Sequence, residues 1–238
     1  MRVAIALIVT VCLVAGCASR SDEKGLQETT SATTTEPRTV PKTIALPAPR
    51  YSGPVSLEEA LRRRRSSREF ADRELNLDQI SQLLWACQGI TDPSFGKRTA
   101  PSAGALYPLE VYLVSKKGVF HYKPHAHELV QVREGDVRHQ LSVAALNQRP
   151  VAEAPVSLVI TTVVARTAQK YGERAERYVH LEAGHTCQNV LLQAVTLGLG
   201  AVPIGAFVDQ GVQKVLSLPH DHEPLYIIPV GYPDTTGM

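Results

Sequence analysis

The pattern of polar and apolar positions predicts two helices just after residue 55. Ser56 followed by Glu59 is a capping-box pair, which marks a helix N-terminus and predicts a helix over residues 57–65. Apolar side chains then recur at helical spacing over residues 77–88, and Gly89 follows the last of them. We therefore expect two amphipathic helices joined by a polar connection.

Strand-like and helical runs fill the rest of the chain. Residues 174–199 carry few charges after Glu182, so this long helix is expected to be buried on nearly all sides. Enrichment in β-branched side chains makes residues 155–164 the predicted central strand. Further strands are predicted at residues 109–114, 118–122, 129–132, 202–207 and 225–230, and further helices at residues 137–146 and 210–216. This order predicts an α+β domain with a central mixed or antiparallel sheet flanked by helices.

The first 17 residues have the pattern of a secretory signal. Residues 1–17 combine an early arginine with an apolar run too short to span a bilayer. They end in L-V-A-G-C, which resembles the bacterial lipobox and implies cleavage before Cys17 and its acylation. Ala18 then implies an outer-membrane destination in the cell envelope, on the periplasmic face. An ordinary signal peptide is the alternative.

The following segment differs in composition from the remainder. Residues 18–54 are rich in Ser, Thr, Glu and Pro, which predicts a disordered tether and leaves residues 55–238 as the folded domain. The net charge of +2 gives no general argument for nucleic acid or an anionic membrane as a partner. Cys87 and Cys187 lie in apolar helical patterns, so free buried thiols are favoured over a disulfide.

Three segments carry candidate binding chemistry. Residues 62–68 hold five arginines and two serines, a combination that suits a phosphate or a polar ring edge. A solvated helix end is the alternative interpretation. Residues 101–108 place small residues between two prolines, and Gly205 near the end of a predicted strand permits close backbone approach. Together the three segments suggest a flavin site.

The segments occur in an order that resembles a known family. The chain resembles the nitroreductase superfamily, and within it the SagB-like dehydrogenases of the azoline-oxidase type. The resemblance extends from about residue 56 to residue 233. It is carried by R-R-S-S-R at residues 64–68, P-S-A-G-A-L-Y-P-L-E at 101–110, K-Y-G at 170–172, Y-V-H-L-E-A-G-H-x-x-Q-N at 178–189 and G-L-G-x-x-P-I-G-A-F at 198–207.

The resemblance implies an FMN-binding fold that forms an intertwined homodimer, with two FMN sites at the subunit interface. In many nitroreductases further basic residues complete the phosphate site, but no lysine or arginine follows Lys214 here. The implied FMN contacts are Arg64, Arg65, Ser66 and Arg68 around the phosphate and the polar ring edge, Pro101, Ser102, Ala103 and Ala105 in a loop from the other subunit, and Pro203, Ile204, Gly205 and Ala206 behind the ring. The Gly205 amide would donate to flavin N5.

The implied activity is that of an FMN-dependent oxidoreductase. It would transfer hydride or electrons through flavin N5 to or from a small organic substrate, such as a quinone, a nitroaromatic or a thiazoline-like ring. Lys170 and Tyr171 match a pair thought to assist proton removal in azoline oxidases, with a surface helix-end pair as the alternative. A second hypothesis is a surface-tethered, non-catalytic binding protein on a degenerate flavin fold.

The remaining acidic and histidine side chains are expected to have structural roles and not catalytic ones. Glu182 and His185 are expected to form a buried hydrogen-bonded pair near the flavin, because positions three apart share a helix face. No metal site is expected. Five histidines in two loosely spaced groups are expected to be solvated: His121, His125, His127, His220 and His222.

Overall fold

The computed structural model describes residues 42–234 of the chain. Within that range the strands are β1 (Thr43–Ala45), β2 (Ile90–Asp92), β3 (Lys97–Arg98), β4 (Leu109–Ser115), β5 (Gly118–Lys123), β6 (Glu128–Glu134), β7 (Val156–Thr162), β8 (Gly200–Ala201) and β9 (Glu223–Gly231). The α-helices are α1 (Leu57–Arg63), α2 (Leu77–Gln88), α3 (Arg138–Ala144), α4 (Arg149–Glu153), α5 (Val164–Tyr171), α6 (Ala175–Thr196) and α7 (Asp209–Leu216).

The two helices predicted nearest the start of the domain are confirmed. The Ser56 hydroxyl accepts a hydrogen bond from the Glu59 amide at 3.2 Å and so caps α1, which ends at Arg63. Asn76 caps α2 through a reciprocal bond with Gln79, a capping box that the sequence analysis did not single out. Local side-chain chemistry therefore sets where both helices begin.

The main sheet has seven strands in the order β1-β6-β5-β4-β7-β9-β8. All of its strand pairs are antiparallel, so of the two sheet types that the sequence allowed, the structure has the antiparallel one. β7 lies in the interior of the sheet between β4 and β9 and is buried at every position, which confirms it as a central strand. A separate hairpin pairs β2 with β3.

Helices cover both faces of this sheet. Successive residues of β7 point to opposite faces, so Leu158 packs into the core on the side of α2 and α6, and Val159 packs into a second core. The second core includes apolar side chains of α3 and α7, among them Leu141 and Leu216. The result is a helix–sheet–helix arrangement, which agrees with the predicted α+β class.

The prediction of a disordered tether over residues 18–54 is wrong for its last part. β1 pairs with β6 and forms one edge of the sheet. The Ser81 hydroxyl donates to the Pro47 carbonyl at 2.6 Å, and the Arg50 amide donates to Gln82 at 2.8 Å. A Pro-rich segment is ordered here because its backbone groups find partners on the domain.

Several other expectations need correction. The strand expected over residues 202–207 is a short β8 followed by a single bridge between Ile204 and Ile227. The β2–β3 hairpin between α2 and β4 was not predicted, nor were α4 and α5. α6 is buried along one face and exposed along another, where Leu181 retains 52% of its accessible surface.

The predicted signal peptide, its lipidation site Cys17 and the tether up to residue 41 lie outside the described residues. Among residues 42–234, no helix combines the length and the apolar character needed to cross a membrane. Cys87 and Cys187 are both buried and free, as the sequence analysis favoured. Burial raises the pKa of the Cys187 thiol to about 12, so it is an inert core residue at neutral pH.

Candidate functional site

The arginines of residues 62–68 fall into two groups. Glu59 accepts from Arg62 at 2.7 and 2.9 Å, and Arg63 lies 3.7 Å from the same carboxylate. These two arginines are therefore surface partners of one acid on the same helix, as the solvated-helix interpretation expects.

The remaining arginines have other surroundings. Arg65 donates to the Arg62 and Arg64 carbonyls at 3.0 and 2.8 Å, at the C-terminal end of α1. The guanidinium groups of Arg64 and Arg68 donate to no group in the part of the chain that the structure describes. Their donors are thus available for an anionic ligand, because a guanidinium binds phosphate oxygens through paired N–H groups.

This basic segment lies beside β8. The Ser67 amide donates to the Ala201 carbonyl at 3.0 Å, and Ser66 and Ala201 form a parallel bridge. A Cβ atom at Gly200 would lie 2.4 Å from Ser67 Oγ, so the close approach requires glycine at this position. The structure therefore brings the predicted phosphate-binding residues next to the strand that leads to Pro203.

Residues 203–206 form an open backbone edge after β8. Ile204 is held by two hydrogen bonds with Ile227, at 2.8 and 2.9 Å. The Gly205 amide has no acceptor among residues 42–234, and a Cβ atom there would meet nothing within 4 Å. A cavity of about 340 Å³ lies in front of Gly205, with His180 and Tyr226 in its lining. An amide that has no acceptor among the described residues and borders a cavity is suited to donate to a ring nitrogen or oxygen of a ligand.

The loop of residues 101–105 has an unusual backbone. Gly104 has φ +63°, and Ala105 and Tyr107 have φ values of 54° and 46°, a region that non-glycine residues seldom adopt. The Ser102 hydroxyl accepts from the Tyr107 amide at 2.9 Å and helps to hold this shape. Left-handed backbone is unfavourable for residues other than glycine, so it persists only where neighbouring groups hold it in place. Such positions are frequent at functional sites.

Lys170 and Tyr171 lie over this loop. A Cβ atom at Gly104 would be 3.0 Å from both Lys170 Nζ and Tyr171 Oη, so both polar groups converge on the same small residue. The Tyr171 ring also packs edge-on against Tyr178, with 4.8 Å between ring centroids. The structure therefore places the Lys170–Tyr171 pair against the small-residue loop, and both the catalytic and the surface-pair interpretations are compatible with this contact.

Glu110 anchors a polar network that the sequence analysis missed. Arg166 Nη2 lies 2.5 Å from Glu110 Oε1, and His121 Nε2 lies 2.6 Å from Glu110 Oε2. Burial raises the pKa of Glu110, but the hydrogen bonds from His121 and Arg166 outweigh it and lower the pKa to about 2. Arg166 also donates to the Tyr107 carbonyl at 3.3 Å, which connects the network to the loop. Only the position of Glu110 beside the P-S-A-G-A motif could have indicated this role.

Three histidines that were expected to be solvated have protein partners instead. His121 is 9% exposed, and His222 accepts from or donates to the Tyr112 hydroxyl at 2.8 Å. His127 contacts the Ser81 hydroxyl at 2.7 Å. His121 lies on β5, whereas His127 and His222 come just before β6 and β9. Their partners belong to segments that meet only in the folded chain, which single-residue patterns do not reveal.

The expected Glu182–His185 pair is also wrong. Glu182 is buried, whereas His185 is exposed, and no hydrogen bond joins them. Both side chains line a cavity of about 250 Å³ together with Pro101, Ser102 and Ala103. This second cavity lies against the same part of α6 as the cavity in front of Gly205, since His180 and Ala183 line the latter.

The candidate site offers hydrogen-bond donors that suit an anion and a planar heterocycle. Arg64 and Arg68 offer free guanidinium groups, Ser66 an exposed hydroxyl, and Gly205 a free amide next to open space. Among the described residues, no three His, Cys, Asp or Glu side chains are grouped as metal ligands. A phosphate-bearing aromatic cofactor therefore fits these residues better than a metal ion does.

The sequence matches the nitroreductase family over residues 61–232. The chain therefore belongs to the nitroreductase family, and it is an oxidoreductase of that family.

Individual relatives agree with this assignment. The chain is 43% identical over 183 residues to "Putative nitroreductase MJ1384" of Methanocaldococcus jannaschii, covering 74% of this chain and 91% of the relative. A crystal structure described as that of "a putative nitroreductase" from Ralstonia eutropha superposes with a TM-score of 0.73 at 31% identity, covering 81% of this chain and 90% of that one.

A more distant relative has a different role. The chain is 27% identical over 161 residues to the microcin B17-processing protein McbC of Escherichia coli, which is 63% of this chain and 59% of McbC. A chain of the E. coli microcin synthetase complex McbBCD, solved with a truncated pro-microcin bound, superposes with a TM-score of 0.65 at 26% identity, covering 72% and 70%.

Proposed function

We propose that this protein is an FMN-dependent oxidoreductase that transfers hydride or electrons to or from a small organic substrate. The observation that carries the proposal is the pairing of free donors beside β8: the guanidinium groups of Arg64 and Arg68 on one side, and the Gly205 amide on the other. When bound, FMN supplies a ring nitrogen that accepts or releases hydride.

The roles of the protein groups follow from their chemistry. Arg64 and Arg68, together with Ser66, would bind the phosphate and the polar edge of the ring, where positive charge favours the reduced, anionic form. The Gly205 amide would fix the ring at its central nitrogen. Arg65 donates to helix carbonyls, so its part is to hold the end of α1 and not to bind the phosphate directly.

We propose further that the protein acts as a homodimer. Lys170 and Tyr171 lie against the small-residue loop, which contains Ser102, Ala103 and Ala105. The basic segment lies beside β8, which leads to residues 203–206. Each group is half of a site in the arrangement that the family resemblance implies. The exposed side of α6 with Leu181 offers apolar surface for a partner copy.

Lys170 and Tyr171 narrow the class of substrates that we propose for the FMN site. Lys170 and Tyr171 converge on Gly104, which places an ammonium group beside a phenol at the open face of the loop. A Tyr beside a cation is a competent acid or base for a substrate C–H or N–H group. This supports dehydrogenation of the SagB type as the preferred direction, with quinones and nitroaromatics as electron acceptors.

The residues around Cys17 support a location in the cell envelope. We propose that Cys17 is lipidated and anchors the domain at the periplasmic face of the outer membrane. Labelling of the whole cell with an alkyne fatty acid should mark the protein, and Cys17→Ser should abolish the label. An unlabelled wild-type chain would refute the anchor without affecting the proposed activity.

The test of the main proposal is cofactor content. The purified chain should be yellow, should release FMN on denaturation, and should exist as a dimer by sedimentation. A stopped-flow survey of electron donors and acceptors on the flavin-loaded protein then assigns the direction of reaction. A colourless protein that binds no added FMN would support the alternative, a non-catalytic binding protein on a degenerate fold.

A further inference from the structure

Glu182 is a buried acid whose role the proposed chemistry does not yet explain. It is only 3% exposed, yet its Oε1 atom has no hydrogen-bond partner among residues 42–234. It lines the cavity of about 250 Å³ under the small-residue loop, with Ser102 and Ala103 in the lining. A buried carboxylate without a full set of partners carries a large desolvation cost, so this position is costly for a permanently charged group.

The surrounding charges do not turn Glu182 into an ordinary ion pair. Arg98 interacts electrostatically with Glu182, but it donates to Gln88 Oε1 at 2.9 Å, and its own Nε atom is buried without a partner among residues 42–234. Glu110 and Arg166 also act electrostatically on Arg98. From α6 itself, Tyr178 and His185 line the same cavity. Glu182 and Arg98 are thus close enough to interact but are not hydrogen-bonded to each other.

Ser102 of the loop lines the same cavity as Glu182 and lies near enough to lower the pKa of the Glu182 carboxyl. The Ser102 oxygen already accepts from the Tyr107 amide at 2.9 Å, which leaves the hydroxyl proton to be donated elsewhere. A charged Glu182 is the stronger acceptor for this proton, and a neutral carboxyl is a weaker one. The charge of Glu182 therefore affects how firmly Ser102, and with it the strained backbone of residues 104–107, is held.

We propose that Glu182 takes up and releases a proton beneath the small-residue loop, and that its charged form holds the loop closed through Ser102. Glu182 is then a positioning residue of the site. Burial raises the pKa of the Glu182 carboxyl to about 7, while Ser102, Arg98 and Gln88 lower it in part, so both forms are populated near neutral pH. The connection to catalysis rests on the proposed function, but the proton uptake and the loop response do not.

Two measurements on the purified full-length chain test this proposal without any need for turnover. The first is an NMR titration with 13C-labelled glutamate, in which one carboxyl resonance should titrate near pH 7 and should vanish in Glu182→Gln. The second is hydrogen exchange of the amides of Ala105, Leu106 and Tyr107, corrected for the intrinsic pH dependence. Their protection should increase by several fold from pH 6 to pH 8.

Matched variants separate a positioning role from a merely structural one. Glu182→Gln should remove the pH dependence of loop protection, and Glu182→Asp should restore part of it. Ser102→Ala should keep the carboxyl titration but lose the response of the loop. Glu176→Gln, an exposed acid on the same helix, should behave as the wild type.

The outcomes that overturn the proposal are distinct from failure of the proposed function. A Glu182 carboxyl that titrates in the ordinary glutamate range, or loop protection that depends on pH equally in Glu182→Gln, refutes it. Absence of bound FMN would refute the proposed function and would leave the titration result standing. If Glu182→Gln does not fold, Ser102→Ala and the wild-type titration still decide the question.

Discussion

Arg166 Nη2 lies 2.5 Å from Glu110 Oε1, and this ion pair connects two parts of the candidate site. Arg166 lies on α5 one helical turn before Lys170, and it also donates to the Tyr107 carbonyl at the end of the small-residue loop. Glu110 is one of the first residues of β4. One charge pair therefore fixes the helix with the candidate catalytic residues relative to the loop that they contact.

Replacement of Glu110 by Gln should lower the free energy of unfolding by about 2–3 kcal/mol at pH 7, because two charge-assisted bonds are lost at a largely buried site. The pKa of Glu110 is lowered to about 2, so its stabilisation is present above the ordinary glutamate pKa and is lost as the pH falls towards 2. The difference between wild type and variant should therefore shrink at acid pH. Urea unfolding at pH 7 and pH 3 measures it.

The control for this experiment is Glu153→Gln. Glu153 pairs with Arg149 at 2.6 Å, but both side chains are exposed, so a change below about 0.5 kcal/mol is expected. A Glu110→Gln penalty that is equal at both pH values would show that packing, and not charge, carries the effect.

Lys170→Ala and Tyr171→Phe should each reduce kcat by about 10²-fold or more if the pair transfers protons, since general acid–base groups contribute on the order of 10²–10⁴-fold. FMN affinity should be nearly unchanged, because neither residue belongs to the basic segment. Gln169→Ala, at the exposed neighbouring position of α5, is the control and should retain full activity. Turnover of the flavin-loaded variants that equals wild type would assign Lys170 and Tyr171 to the surface-pair alternative.

Arg64→Ala and Arg68→Ala should each weaken FMN binding by about 10–100-fold, because a hydrogen bond to a charged group is worth about 1.5–3 kcal/mol. Arg62→Ala is the matched control from the same segment, since Arg62 binds Glu59 and should affect FMN little. Titration of the flavin-free protein by fluorescence quenching gives the dissociation constants. Equal effects at all three arginines would indicate a general electrostatic attraction in place of a defined phosphate site.

The contrast between these arginines shows how far the sequence could predict the candidate site. Clustered arginines and a glycine-containing strand end are visible in the sequence because their chemistry is local, and the structure places the two segments side by side. Which arginine is free depends on the position of Glu59 one turn away, and that is visible only with the helix in place. The Glu110–His121 bond depends on pairing between β4 and β5, because strand register decides which polar groups meet.

Strand pairing is also the reason for the error at the N-terminal boundary. Composition marked residues 42–54 as unable to bury enough apolar surface to offset the entropy of ordering, yet Ile44 and Leu46 are partly buried and pack against the main core. Backbone groups add to this order: β1 pairs with β6, and the Leu46 amide donates to the His127 carbonyl at 3.1 Å. Edge-strand pairing requires little hydrophobic content, so composition alone does not detect it.

A chain that begins at Val55 should consequently be less stable than one that begins at Lys42. It would lose the β1–β6 ladder and two reciprocal hydrogen bonds between Arg50 and Gln82, at 2.8 and 3.1 Å. At about 1 kcal/mol net for each hydrogen bond, the expected loss is on the order of 3–5 kcal/mol. Thermal and urea unfolding of the two chains measure it.

Gln82→Ala in the longer chain serves as the internal comparison. It removes one attachment of the segment and should cost about 1–2 kcal/mol, a fraction of the effect of truncation. In the chain that begins at Val55 the same substitution should cost less, because the Arg50 partner is already absent. Equal unfolding midpoints for the two chains without substitutions would show that residues 42–54 do not stabilise the domain, as expected of a tether.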